Sequence, residues 1–220
     1  SAASDVYKRQ PFTSPFPDTT AEVHMKLLPQ SLMAAALATT ALAAQAHTGH
    51  GTSSLMEGLI HPFGLDHLLA MVAVGVWSVA ALPAGKSWQG PATFLLALVI
   101  SAALGAAGLT VPYLEHAISL SVVLFGLMLI VATRPMPAAL GLGLIAAASS
   151  LHGLAHGSET PATGFADYAL GFLLTTAALH LSGVGLGLSI RRLFAERRGI
   201  ALGSLGTALG GAGLFLFAQL

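Results

Sequence analysis

Six stretches of about 20 predominantly apolar residues, near 59–82, 92–111, 114–133, 137–156, 166–190 and 199–219, follow one another with short connections between them. Each is long enough to cross a bilayer. Inside lipid the main chain must satisfy its own polar groups, which an α-helix does within one segment. The expectation is therefore an all-α fold, a polytopic membrane bundle of about six transmembrane helices. The connections hold the helix breakers and charges, as in Leu82-Pro83-Ala84-Gly85-Lys86 and Thr133-Arg134-Pro135, and no stretch is left over for a soluble domain. Charged residues make up 8% of the chain, where a soluble domain carries roughly 25%. A net charge of zero argues against nucleic acid as a partner, because phosphate binding needs a basic excess. Without cysteine, disulfides and thiolate metal sites are excluded. A metal site would use imidazole, carboxylate and backbone oxygen, which suits nickel, cobalt, zinc, copper or iron.

The chain divides into three parts. Residues 1–24 are polar, contain Pro11, Pro15 and Pro17, and read as upstream translation rather than native protein. Residues 25–46 read as a secretory signal: Met25 and Lys26 open a short basic region, an apolar stretch follows, and Ala44-Gln45-Ala46 offers the cleavage pattern. Cleavage after Ala46 would leave residues 47–220 as one six-helix domain beginning His47-Thr48-Gly49-His50. Beyond position 46 the basic residues are Lys86, Arg134, Arg191, Arg192, Arg197 and Arg198. With an outside N-terminus all of them fall on the cytoplasmic side, as the positive-inside rule requires. Glu57, Glu115, Glu159 and Asp167 fall on the other side. The expected location is a bacterial inner membrane, multi-pass, with a periplasmic N-terminus.

This topology gathers the histidines toward one side. His47, His50 and His61 lie at the outer face, His116 at the outer end of the third span, and His152 and His156 at the outer end of the fourth. Asp66 and His67 lie further into the first span, and His180 near the middle of the fifth. Ionisable groups inside a bilayer are costly unless paired or functional. A series of them leading inward reads as a pathway. In His61-Pro62-Phe63-Gly64-Leu65-Asp66-His67 a regular helix would aim the two imidazoles about 120° apart. Pro62 and Gly64 permit a break that brings them together, and Asp66 can bind an ion or orient an imidazole. In His152-Gly153-Leu154-Ala155-His156-Gly157-Ser158-Glu159 the histidines are neighbours at i,i+4, and Glu159 continues the stripe if the helix persists. Gly153 and Gly157 would admit another helix at close range. The structural alternative for both clusters is a helix end capped by polar side chains.

His180 reads as ligand or relay, with Thr176 one turn before it. His47, His50 and His116 are candidates for outer metal capture, although His116, beside Glu115, fits an interfacial residue better. Gly85-Lys86-Ser87 resembles the end of a phosphate-binding loop, but Ala80 stands where its first glycine belongs, so no ATP site is visible. Gly199, Gly203, Gly206 and Gly210 in the last span are spaced for internal packing or for a homo-oligomer.

At its two histidine clusters the chain resembles the HupE/UreJ family of nickel permeases, small integral membrane proteins associated with hydrogenase and urease maturation. The resemblance runs from about His47 to the C-terminus. His61-Pro62, Gly64 and Asp66-His67 match the family's first-helix signature and the His-x4-Asp-His motif of the wider nickel/cobalt transporter group. The run His152-Gly153, Ala155-His156-Gly157, Glu159 and Pro161, followed by Tyr168, Gly171-Phe172, His180 and Gly183, looks like the second signature. The resemblance implies six helices behind a cleaved signal. It also implies transport of nickel, or of cobalt, with His61, Asp66, His67, His152, His156, Glu159 and His180 on the route and no prosthetic group.

The expected mechanism is uptake of a divalent ion from periplasm to cytoplasm. The ion sheds water to His152, His156, Glu159 and His61, passes to Asp66 and His67, and leaves by way of His180. Sequential sites of few ligands bind strongly enough to strip water and weakly enough to release. One rival is an intramembrane zinc hydrolase, but Gly153 stands where a His-Glu-x-x-His protease carries its glutamate. The other is a periplasm-facing metal-binding or sensing module, which leaves Asp66, His67 and His180 unexplained.

Overall fold

The structure, a computed structural model, describes residues 54–160 and 164–220. Residues 1–24, the signal-like segment 25–46, His47, His50 and Pro161 lie outside the described residues, so the expectations for them stand as they were. The described chain is helical: α1 (Ser54–Ile60), a 3-10 turn (His61–Phe63), α2 (Leu65–Ala81), α3 (Gln89–Ala106), α4 (Leu114–Ile130), α5 (Ala138–Ser158), α6 (Phe165–Leu193), a second 3-10 turn (Ala195–Arg197) and α7 (Arg198–Phe217).

Four of these, α3, α5, α6 and the last segment from Ala195 to Phe217, are long and apolar enough to cross a membrane, and α1 with α2 forms a bent pair that passes the same test as one broken span. The remaining helix, α4, has 17 residues, at the lower end of the range for a spanning helix of about 17–25. The residue distribution is that of a membrane protein. On α3 the outward face carries Leu96, Val99, Ile100 and Leu104, while Ser101 is buried. Elsewhere His67, His152, His156 and His180 are buried too. Large apolar side chains outside and imidazoles inside suit lipid rather than water.

The second span ends short of its expected boundary: it was expected to reach 111, but α3 stops at Ala106. Gly108 has φ +92°, outside the right-handed helical region, and Pro112 biases Val111 away from helix. Tyr113, with φ 57°, then turns the chain into α4.

α2 is the centre of the bundle. Nearly every residue from Leu69 to Val79 is buried, including Met71, Val74, Val76 and Trp77, as expected of a helix apolar on all sides. α6 and α4 pack most closely on it, α3 pairs with α5, α4 with α7, and α1 lies on α6. Small residues set these approaches. A Cβ on Gly75 of α2 would stand 2.6 Å from the Val184 nitrogen of α6, and one on Gly153 or Gly157 of α5 would collide with the main chain of α3 at Leu98 or Ala102. Gly206 of α7 packs on α4 at Gly126 and Ile130, whereas a Cβ on Gly199 or Gly203 would meet nothing. At the opposite end of α2 from its histidine, the Arg198 guanidinium donates to the Ala80 carbonyl, one of the groups a helix C-terminus leaves unpaired.

Candidate metal-binding site

The break expected at Pro62 and Gly64 is present: the helix through Phe63 and α2 meet at 70°. Pro62 sits in the 3-10 turn, and Gly64, extended at φ −49° and ψ 135°, precedes the first residue of α2. Thr175 of α6 donates to the Leu59 carbonyl at 2.9 Å, supplying a partner to the C-terminus of α1. The bend turns His61 back toward α2, so that the rings of His61 and His67 lie 6.3 Å apart.

Asp66, in the first turn of α2, holds His67 through one oxygen. Its Oδ1 accepts the His67 main-chain N–H at 2.8 Å and the imidazole Nδ1–H at 2.6 Å. Neutral imidazole carries one N–H. With Nδ1 donating, Nε2 keeps a bare lone pair, and it is buried with no hydrogen-bond partner among the described residues. α5 brings up the second cluster. His156 packs edge-on against His67 at 4.3 Å and against His61 at 4.7 Å, and His152 against His67 at 4.7 Å. Both ring nitrogens of buried His156 are without a partner among the described residues, a state that buried polar groups rarely tolerate.

The helical stripe ends one residue early, because α5 stops at Ser158 and Glu159 follows as its cap. Glu159 still arrives: its Oε2 lies 3.6 Å from His61 Nε2. One ligand atom each from His61, His156 and Glu159 lie within 4.8 Å of one another, with the carboxylate exposed and His156 buried. This is the mouth of the cluster.

The inner end is at α6. His180 donates Nδ1–H to the Thr176 carbonyl at 2.8 Å, leaving Nε2 bare and buried. Thr176, one turn before His180, thus serves through its main-chain carbonyl. Phe94 of α3, fully buried, bridges the two levels, 5.8 Å from the His152 ring and 4.7 Å from the His180 ring.

The order is therefore Glu159 and His61, His156, His67 with Asp66, His152, Phe94, His180. It differs from the sequence expectation in one respect: His152 lies beyond His67, on the side of His180. An i,i+4 step is about 6 Å along the helix, and α5 runs alongside the file rather than across its entrance. His116 is separate from the file, its ring against Tyr113 and Phe217. Sequence reasoning missed Phe94 and Ser121, whose Oγ lies 2.8 Å from His152 Nε2, while Phe172, named there only within the second signature, lines His61 and His156. Serine and phenylalanine are common in apolar spans, so neither carried a signal.

The donor set is imidazole nitrogen and carboxylate oxygen, suited to a borderline divalent transition ion. Fold and site together define a multi-pass helical membrane protein with a buried histidine file. The chain matches the family described as HupE / UreJ protein over residues 35–216, and it belongs to that family. It is also similar to Protein HupE of Rhizobium leguminosarum bv. viciae, 41% identical over 157 residues that cover 69% of this chain and 79% of that protein. No solved structure matches it. The family is of transporter type, associated with nickel and cobalt transport for hydrogenase and urease.

Proposed function

We propose that the protein imports a divalent transition metal ion, nickel before cobalt, from the periplasm across the inner membrane to the cytoplasm, supplying hydrogenase or urease maturation. The observation that carries this reading is the file of buried imidazoles with bare nitrogens, from His156 through His67 and His152 to His180, that leads inward from half-buried His61 and exposed Glu159. A binding module would need only the mouth. A file that continues past it serves passage.

The hydrated ion first exchanges water for Glu159, His61 and His156, the part of the file with an exposed carboxylate. It then moves to His67, whose basicity Asp66 supports, next to His152, and past the Phe94 ring to His180. No site gathers many charged ligands, so no step holds the ion too tightly to release. The membrane potential contributes about 2.3 kcal/mol per charge per 100 mV to inward movement of a cation.

Uptake of radiolabelled nickel in cells lacking their own nickel importers tests the proposal, with His67→Ala and His152→Ala compared at matched membrane expression. Uptake by the wild type and its loss in both variants is expected. A wild-type protein that moves neither nickel nor cobalt refutes transport and returns the cluster to a binding or hydrolytic role.

A further inference from the structure

Ser121 lies on α4, outside both histidine motifs, yet it touches the file. Its side chain is buried. Its Oγ donates to the Ile118 carbonyl at 2.7 Å and lies 2.8 Å from His152 Nε2. A hydroxyl has one proton, and a carbonyl can only accept. With that proton directed to Ile118, the contact with His152 must use the proton of the imidazole. His152 is then protonated on Nε2 and bare on Nδ1, the nitrogen that is buried with no partner among the described residues. The same arrangement recurs at two other rings. Asp66 accepts from His67 and leaves Nε2 bare, and the Thr176 carbonyl accepts from His180 and leaves Nε2 bare. In each case one nitrogen is bound to a protein acceptor and the other is a lone pair in a buried space. Imidazoles that bind metals are ordinarily held this way.

We propose that Ser121 is a positioning residue of the metal route: its oxygen accepts the Nε2–H of His152 and presents the Nδ1 lone pair to the passing cation. This rests on the transport reading above. It adds that α4, which contributes no imidazole to the file, sets the proton on one of its rings. The Ile118 carbonyl is part of the device, because it takes the hydroxyl proton that would otherwise reverse the contact.

The test reads the proton directly. Metal-free protein labelled with 15N-histidine is purified in detergent, and long-range 1H–15N correlations distinguish the two tautomers; the His152 signal is identified by its loss in His152→Gln. The wild type is expected to show His152 protonated on Nε2. Ser121→Ala is expected to shift that signal toward the other tautomer and to lower nickel uptake about 10–100-fold. Ser121→Thr, which keeps the hydroxyl, restores both. A wild-type His152 protonated on Nδ1 overturns the proposal, as does a tautomer that Ser121→Ala leaves unchanged; the first measurement stands even if a variant fails to fold. The tautomer is read without transport. Absent uptake in the wild type would refute the transport reading alone, and normal uptake with the wrong tautomer would refute Ser121 alone.

Discussion

Asp66 makes two hydrogen bonds with one oxygen, and both end on the residue after it. It anchors the start of α2, where a negative charge meets the positive end of the helix, and it orients the imidazole at the centre of the file. Asp66→Asn keeps the size and removes the charge. The helix-end interaction is worth about 0.3–1 kcal/mol, so the variant should remain folded, while the loss of support to His67 should reduce nickel uptake about 10–100-fold. Uptake at matched expression, with thermal unfolding in detergent as control, checks this; undiminished uptake would remove Asp66 from the route. At this scale the sequence was most legible where a residue was out of place. An aspartate or histidine in an apolar stretch is conspicuous because burying it is costly, and His61, Asp66, His67, His152, His156 and His180 were all visible for that reason. Ser121 was not, since its role depends on which helix stands opposite. Nor was Phe94, whose residue type is unremarkable in a span.

Helices α3 and α5 approach as closely as they do because Gly153 and Gly157 present no side chain to Leu98 and Ala102. That contact also places Phe94 of α3 against His152 of α5. Gly157→Ala should force the pair apart, at a cost of about 1–3 kcal/mol for an overpacked interface, visible as a lower unfolding temperature in detergent. A variant as stable as the wild type would mean that the helices separate at no cost. The bend between α1 and α2 and the close face of α5 could be read in advance, because proline and glycine restrict or release the main chain wherever they occur. Helix partners could not. A leucine facing lipid and a leucine facing protein look alike in the sequence, since neither environment is wet. For the same reason the position of His152 beyond His67 emerged only once α5 was seen to lie along the file.

Among the described residues the buried imidazoles of His67, His152, His156 and His180 are gathered in one file, and their chemistry sets a pH dependence. Only neutral imidazole coordinates a metal, and free imidazole takes up a proton near pH 6.5. Protonation therefore competes with the ion, so uptake should be sustained above that range and fall as the outside is acidified, with the membrane potential held constant. Nickel influx into proteoliposomes across an external pH series measures this; influx that rises on acidification would require proton-driven transport instead. The helical, apolar character of the segments was the part of the whole that the sequence displayed best, in long apolar runs separated by charged turns, whereas the assembly of those segments around α2 was hidden. Phe94 gives that assembly a further consequence. A row of histidines is also a wire for protons, and one running unbroken through a membrane would discharge the gradient on which the cell runs. The ring that joins His152 to His180 has no N–H, no O–H and no lone pair to pass a proton along. While it stays in place, it is a piece of insulation set into the wire.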